Sequence, residues 1–471
     1  MIANVHPAGW TNPTPRERYN LVVVGAGTAG LVTAAGAAGL GARVALVERY
    51  LMGGDCLNVG CVPSKAVLHA AHDTRPDFAA AMERMRRLRA DLSVKDSAAR
   101  FRDLGVDVYL GDARFVAPDA VEVDGQRLRF ARAVIATGAR ATGLPVPGLA
   151  EAGFLTNETV FSLTALPPRL VVIGAGPIGC ELAQAFRRFG STVTIVSLDP
   201  RLLPREDADA SAVLAARFAR EGIVTALGAR LSRVERRTDA VAVVYDRGRG
   251  EEIAVADAIL VAVGRAPNVE DLGLEAARVD YDAATGVRVD DWLRTTNPLV
   301  YAAGDVCSAY KFTHAADAMA RVVIQNALFF GRKRVTRLVI PWCTYTDPEI
   351  AHVGTSSADA ATRADVVTLT EPLDDVDRAV LEGETEGFAR VHVDAHGRIL
   401  GATLVSRHAG ETIGEVVLAM TAGLRLGAIG DTIHLYPTQS EMLKRLADAY
   451  RRRALTPGVK RLFEGLMRLR R

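Results

Sequence analysis

At about 150 residues per domain, a chain of 471 residues has room for about three domains. Its 49% apolar and 24% charged residues are the balance of an ordinary globular protein, and 42 glycines with 20 prolines exclude collagen-like and disordered classes. Charges of 57 basic against 55 acidic residues leave a net +2, too little to steer the molecule onto nucleic acid, and five cysteines are too few for a secreted disulfide scaffold.

Met1 to Asn20 holds three prolines and no apolar run, so no cleavable signal peptide is expected and the chain reads as cytoplasmic. Leu21 to Ala42 is 22 residues without a charge, long enough to span a bilayer. It contains six glycines, however, and its β-branched start Val22-Val23-Val24 stops at Gly25. The pattern predicts a buried parallel strand turning into a glycine-spaced helix.

That segment is repeated. Residues 21–48 and 170–197 align without a gap at an offset of 149, each reading as strand, G-x-G-x-x-G, helix and second strand. Gly25 and Gly174 allow the tight turn, Gly27 and Gly176 a close approach of the main chain to a pyrophosphate, and Gly30 and Gly179 close packing of the helix. The free N–H groups at each helix start suit phosphate charge, so two dinucleotides are expected. Glu48 ends the first copy, placed to accept hydrogen bonds from a ribose 2′-OH, whereas the second copy has Ser197 there. The missing acid, with Arg201 four residues on, leans towards NADPH; NADH recognised through Asp199 is the alternative.

Between the copies lies Met52-Gly-Gly-Asp-Cys56-Leu-Asn-Val-Gly-Cys61-Val-Pro-Ser-Lys65. Two cysteines five apart, separated by small and turn-forming residues, suit a small disulfide loop. Zinc would need two further ligands, and Cys180, Cys307 and Cys343 are isolated, so no structural metal site is expected. In a cytoplasmic protein such a pair points to redox chemistry, with thiol acidity raised by a helix start and by Lys65.

Together these motifs resemble the class I pyridine nucleotide–disulfide oxidoreductases, which include dihydrolipoamide dehydrogenase, glutathione reductase and mercuric reductase. The resemblance runs from about residue 20 to 445. It implies FAD on the first unit, NAD(P)H on the second, Cys56 as the thiol that meets substrate and Cys61 as the charge-transfer thiol. Lys65 and Glu181 match an ion pair near the flavin, and Gly54-Asp55 matches a flavin or phosphate contact, although many relatives have Thr at the position of Asp55. Gly111-Asp112-Ala113 matches the stretch beside the adenine, and Ala136-Thr137-Gly138 the exit from the FAD domain. Gly304-Asp305 resembles the second FAD fingerprint, and Gly264-Arg265-Ala266-Pro267-Asn268 the exit from the nicotinamide domain.

Near the C-terminus the chain reads His434-Leu-Tyr436-Pro437-Thr438-Gln439-Ser440-Glu441. Thiol–disulfide members of the family carry His-Pro-Thr-x-x-Glu here, donated by the partner subunit, so Tyr436 stands at the acid–base His and Glu441 at its orienting acid. A phenol with an ordinary pKa near ~10 is a poor proton shuttle at neutral pH. Mercuric reductase resembles this chain at that place, and a soft metal ion held by Cys56 and Cys61 needs no such base. Unlike that enzyme the chain has no C-terminal cysteine pair, since no cysteine follows Cys343.

The expected fold is α/β: two Rossmann-like dinucleotide-binding domains plus a C-terminal α+β dimerisation domain. The expected boundaries are 1–150 and 276–345 for the FAD domain, 151–275 for the NAD(P) domain and 346–450 for the dimerisation domain. Residues 451–471 form a basic tail with apolar residues at helical spacing (Leu462, Phe463, Leu466), expected to pack on a homodimer; membrane contact is the less favoured reading, and no nucleic-acid partner is expected. The expected activity is transfer of electrons from NAD(P)H through flavin and dithiol to a metal ion or other small oxidant. The alternatives are dihydrolipoamide dehydrogenase, or a redox component that docks to a membrane or protein partner.

Overall fold

Burial explains why the repeated apolar runs become strands. In the computed structural model, which describes residues 1–471, Leu21, Val22 and Val23 are wholly buried, and water never competes for their backbone groups. Tyr19–Val24 is a strand, Thr28–Gly39 a helix and Val44–Glu48 a second strand parallel to the first, with Leu21 opposite Val44. The second copy repeats this. Arg169–Ile173 and Thr192–Val196 are parallel strands, with the helix Pro177–Phe189 between them in sequence.

The turn into each helix uses the same device. Gly25 has φ +101° and Gly174 φ +112°; a Cβ there would lie 2.4 Å from Ala136 O and 2.5 Å from Ala262 O, respectively. Only glycine fits, because the backbone is left-handed and the neighbouring strand end is in contact.

The chain divides into two compact units. The first comprises residues 1–174, 185–198 and 229–338. Its main sheet runs in the order Asp107–Leu110, Val44–Glu48, Tyr19–Val24, Gln126–Ile135, Ala120–Val123, Ala113–Ala117, and Val300–Ala302 also pairs with Gln126–Ile135. The pairings of Tyr19–Val24 and of Val300–Ala302 are parallel; the 113–135 meander is antiparallel. Its core includes Tyr19, Tyr109, Phe115 and Phe130, the last two edge to face at 6.2 Å. A three-stranded antiparallel sheet, Arg230–Arg236, Val241–Asp246 and Glu251–Ala256, belongs to the same unit.

The second unit comprises 175–184, 199–228 and 339–471. Its five-stranded antiparallel sheet runs Pro341–Thr344, Glu349–Gly354, Ile399–Ser406, Phe388–Val393, Val367–Pro372. The helices Ala409–Thr421 and Glu441–Arg452 contribute Ile413, Val416, Leu443 and Leu446 to its core. The last helix, Pro457–Leu469, buries none of its residues. No helix is long and apolar enough to cross a membrane.

Candidate active site

The first fingerprint opens onto the cysteine segment. Gly27 caps the helix Thr28–Gly39 without any side-chain cap bond, so the first-turn N–H groups keep their capacity for an anion. Gly54 lies against Gly27: a Cβ on Gly54 would come 2.6 Å from Gly27 Cα. Gly30 packs still closer, where a Cβ would meet Gly25 O at 1.8 Å. Glu48 is buried at the end of its strand, its carboxylate accepting from Ala26 N at 2.7 Å and Tyr50 N at 2.8 Å. Burial raises its pKa, and the two backbone donors oppose that rise. Glu48 is thus fixed as an acceptor at the edge of the fingerprint.

Cys56 sits half-buried on the short helix Gly54–Asn58, and Cys61 is the exposed first residue of the helix Cys61–Ala70. Asn58 Nδ2 donates to Met52 O (3.1 Å) and Gly54 O (2.9 Å), tying the loop down. The two sulfurs are present as thiols and interact with each other. Cys61 Sγ also lies 3.4 Å from Thr313 Oγ1, at the start of the helix Thr313–Leu328.

The acidity expected of the pair is corrected at Cys56. Its thiol is held above the ordinary range, first by its hydrogen bond to Cys61, then by burial and by the charge of Cys61, with Thr313 opposing and Asp96 adding to the rise. Cys61 is the first residue of its helix, a position that favours negative charge on a sulfur. It opens with Lys65, one turn on, into a groove of about 500 Å³ that Val62, His69, Arg84 and Leu88 also line.

Thr137, Gly138 and the Gly264–Asn268 segment meet. Ala139–Ala141 pairs antiparallel with Arg265–Pro267, Thr137 Oγ1 donates to Asn268 O at 2.7 Å, and Asn268 N donates to Gly138 O at 2.9 Å. This ribbon carries Arg265 inward, where its guanidinium pairs with Asp55, lies 3.5 Å from Asp305 and donates to Ala139 O at 2.6 Å. The departure at Asp55 therefore has a partner 210 residues away in sequence. Burial raises the pKa of Asp305, while Arg265 and Lys311 oppose the rise. Gly304 (φ +85°) lies under the first helix, a Cβ there reaching 3.2 Å from Ala29 Cβ, and Ala113 starts the strand Ala113–Ala117.

In the second copy, Gly176 faces open space, Gly179 and Ser197 are buried, and Gly264 is left-handed at φ +151°. Arg201 Nη2 donates to Pro204 O at 2.7 Å and Glu206 O at 3.2 Å, so that nitrogen serves its own loop. Glu181 is buried and accepts from Tyr345 N at 2.9 Å.

At the C-terminal end, Tyr436 is exposed, and its hydroxyl donates to Asp377 Oδ2 at 2.6 Å, a bond that raises the phenol's pKa. His434 is bound to Glu415 at 2.9 Å. Glu441 accepts from Arg445 Nε at 3.1 Å, while its Oε2 is buried without a partner.

A sequence model described as pyridine nucleotide-disulphide oxidoreductase matches residues 19–320, and one for the dimerisation domain of the same family matches 340–447. This chain belongs to the pyridine nucleotide-disulphide oxidoreductases. The chain is 34% identical over 444 residues to a mercuric reductase of Bacillus cereus, covering 90% of this chain and 70% of that one. It is also 34% identical over 466 residues to a dihydrolipoyl dehydrogenase of Thermus scotoductus, covering 93% and 99%. Among solved structures, the HOCl-induced flavoprotein disulfide reductase RclA from Escherichia coli superposes with a TM-score of 0.85 at 30% identity, covering 91% and 99%. A Cu(II) complex of RclA gives 0.84 at 31%, covering 90% and 99%.

Members of the family use FAD and NAD(P)H, and the residues present fit the flavin. The side-chain-free approach of Gly27 and Gly54, the uncapped helix start and the fixed Glu48 acceptor form a cradle for a dinucleotide that any Cβ at Gly54 would fill. Arg265, Thr313 and Asp96 had no sequence role beyond motif membership or none at all; only the three-dimensional structure links them to Asp55 and the cysteines.

Proposed function

We propose that this flavoprotein disulfide oxidoreductase passes electrons from NAD(P)H through Cys56 and Cys61 to a thiophilic metal ion, working as a homodimer. The observation that carries the reading is Tyr436. It occupies the acid–base His position of the thiol–disulfide members, and its proton is committed to Asp377, which pushes the phenol further from neutral pH. His434, the nearest imidazole in sequence, is bound to Glu415. An organic dithiol substrate needs a base to take its proton; a metal ion bound by two sulfurs does not. The RclA Cu(II) complex and the mercuric reductase relatives support the same class.

A bound FAD would supply the two-electron chemistry that links NAD(P)H to the disulfide. Gly25, Gly27, Gly30, Glu48, Gly54, Ala113, Thr137, Gly138, Gly304 and Asp305 would hold it, with Asp55 held in place by Arg265. Gly174, Gly176, Gly179, Ser197, Arg201 and Gly264 would hold the nicotinamide dinucleotide, and Lys65 with Glu181 would set the charge beside the flavin. The chain's own work is done by sulfur. Cys56 and Cys61 would receive two electrons, and two protons from solvent, as the S–S bond breaks. They would then lose both protons to solvent as the two sulfurs bind the metal ion, and the electron pair would pass to a two-electron acceptor such as Hg(II), or one electron to each of two Cu(II) ions, as the S–S bond re-forms. Tyr436 and Glu441 would be supplied across the dimer interface.

The test is to reduce the flavin-loaded enzyme anaerobically with NADPH or NADH and offer Hg(II), Cu(II), lipoamide, glutathione disulfide and a quinone. Rapid reoxidation by a metal ion is expected. Rapid reoxidation by lipoamide alone would overturn the assignment.

A further inference from the structure

The redox machinery leaves one element unused. Residues Pro457–Leu469 form a helix of 13 residues, with Thr456 Oγ1 accepting from Val459 N at 3.4 Å and Pro457 in the first turn, so its start is set locally. It lies beyond residue 447, where the match to the family's dimerisation domain ends. At about 100° per residue, Val459, Leu462, Phe463, Leu466, Met467 and Leu469 fall within an arc of roughly 160°. Lys460, Arg461, Glu464, Gly465 and Arg468 fill the opposite side. From Leu462 to Leu469 the five large apolar side chains are between 46% and 84% exposed.

We infer that this helix lays its apolar face into an anionic lipid surface. Charge selects that occupant. Lys460, Arg461, Arg468, Arg470 and Arg471 stand against the single acid Glu464, so the segment is strongly cationic. A second copy of the same helix would bring like charges together along both edges of the apolar stripe. An anionic bilayer offers hydrocarbon to one face and headgroup phosphates to the other. At about 1.5 Å per residue the helix is roughly 20 Å long, too short to span, so it lies in the interface with its long cationic side chains reaching the headgroups. The enzyme would then work at the membrane surface.

Vesicle sedimentation of the full-length, flavin-loaded protein tests this. Binding to phosphatidylglycerol-rich vesicles is expected, with little binding to pure phosphatidylcholine and loss at high salt. Leu462→Glu/Leu466→Glu and, separately, Arg461→Gln/Arg468→Gln should each weaken binding about tenfold or more. NAD(P)H oxidation and dimer size should stay unchanged. Absence of binding to anionic vesicles, or undiminished binding by either variant, would overturn the inference. So would conversion of Leu462→Glu/Leu466→Glu to monomers on gel filtration, which would make a second copy the occupant.

Discussion

Arg265→Met removes one charge from a site where two carboxylates depend on it. The side chains of Arg265 and Asp305 are 17% and 19% exposed, and that of Asp55 is 40% exposed. Removing the cation leaves Asp305 without its main compensating charge, and breaking a buried pair in this way costs about 3–5 kcal/mol. Asp55→Asn removes the more exposed partner and leaves Arg265 with Asp305, so it should cost only about 0–1 kcal/mol. The two variants therefore separate by several kcal/mol. The sign with pH is also set. Burial already raises the Asp305 pKa, and losing Arg265 raises it further, so the native variant holds a proton that the unfolded chain gives up. Its stability then falls as pH rises. Urea unfolding followed by flavin release, at several pH values, measures both effects. A loss below about 1 kcal/mol for Arg265→Met, or an equal loss for Asp55→Asn, would refute the reasoning.

Two further outcomes are expected. Burial pushes the Glu206 carboxyl from the usual 4.5 up to about 7, so the native state holds an extra proton across that window and stability declines as pH rises from 4.5 through 7. At about 1.4 kcal/mol per pH unit the decline approaches 3 kcal/mol; Glu206→Gln, which keeps an acceptor for Trp342 Nε1, should flatten it in thermal melts from pH 5 to 8. Tyr436→His restores the imidazole of the thiol–disulfide members and should raise turnover of dihydrolipoamide with NAD at least about tenfold over the parent, since a positioned general base is worth about 10²–10⁴.

What the sequence made legible was what local pattern encodes. The two glycine fingerprints reappear as parallel strands joined through helices, because apolar strands and a tight turn leave a strict spacing. The tail's 3.6-residue spacing likewise became the helix Pro457–Leu469. Pairings between distant short segments were not legible. Ala139–Ala141 and Arg265–Pro267 are three residues each, too short for any periodicity, yet they bring Arg265 to Asp55. Thr313 stands alone between Phe312 and His314 with no motif around it, and Asp96 follows a helix whose face gives no hint of the cysteines. The raised pKa of Cys56 is hidden from sequence for the same reason: a helix start and a lysine are visible there, but the contact with Cys61 and the burial are not.

The central claim is that electrons pass through Cys56 and Cys61, and alkylation before and after anaerobic reduction tests it most directly. The flavin-loaded enzyme, as oxidised, should leave both cysteines unmodified by a thiol reagent. After one round of NADPH or NADH, mass spectrometry should find both labelled, with the buried Cys180 unchanged. Labelling of Cys56 and Cys61 that does not depend on reduction, or full metal-ion turnover by Cys61→Ala, would contradict the account.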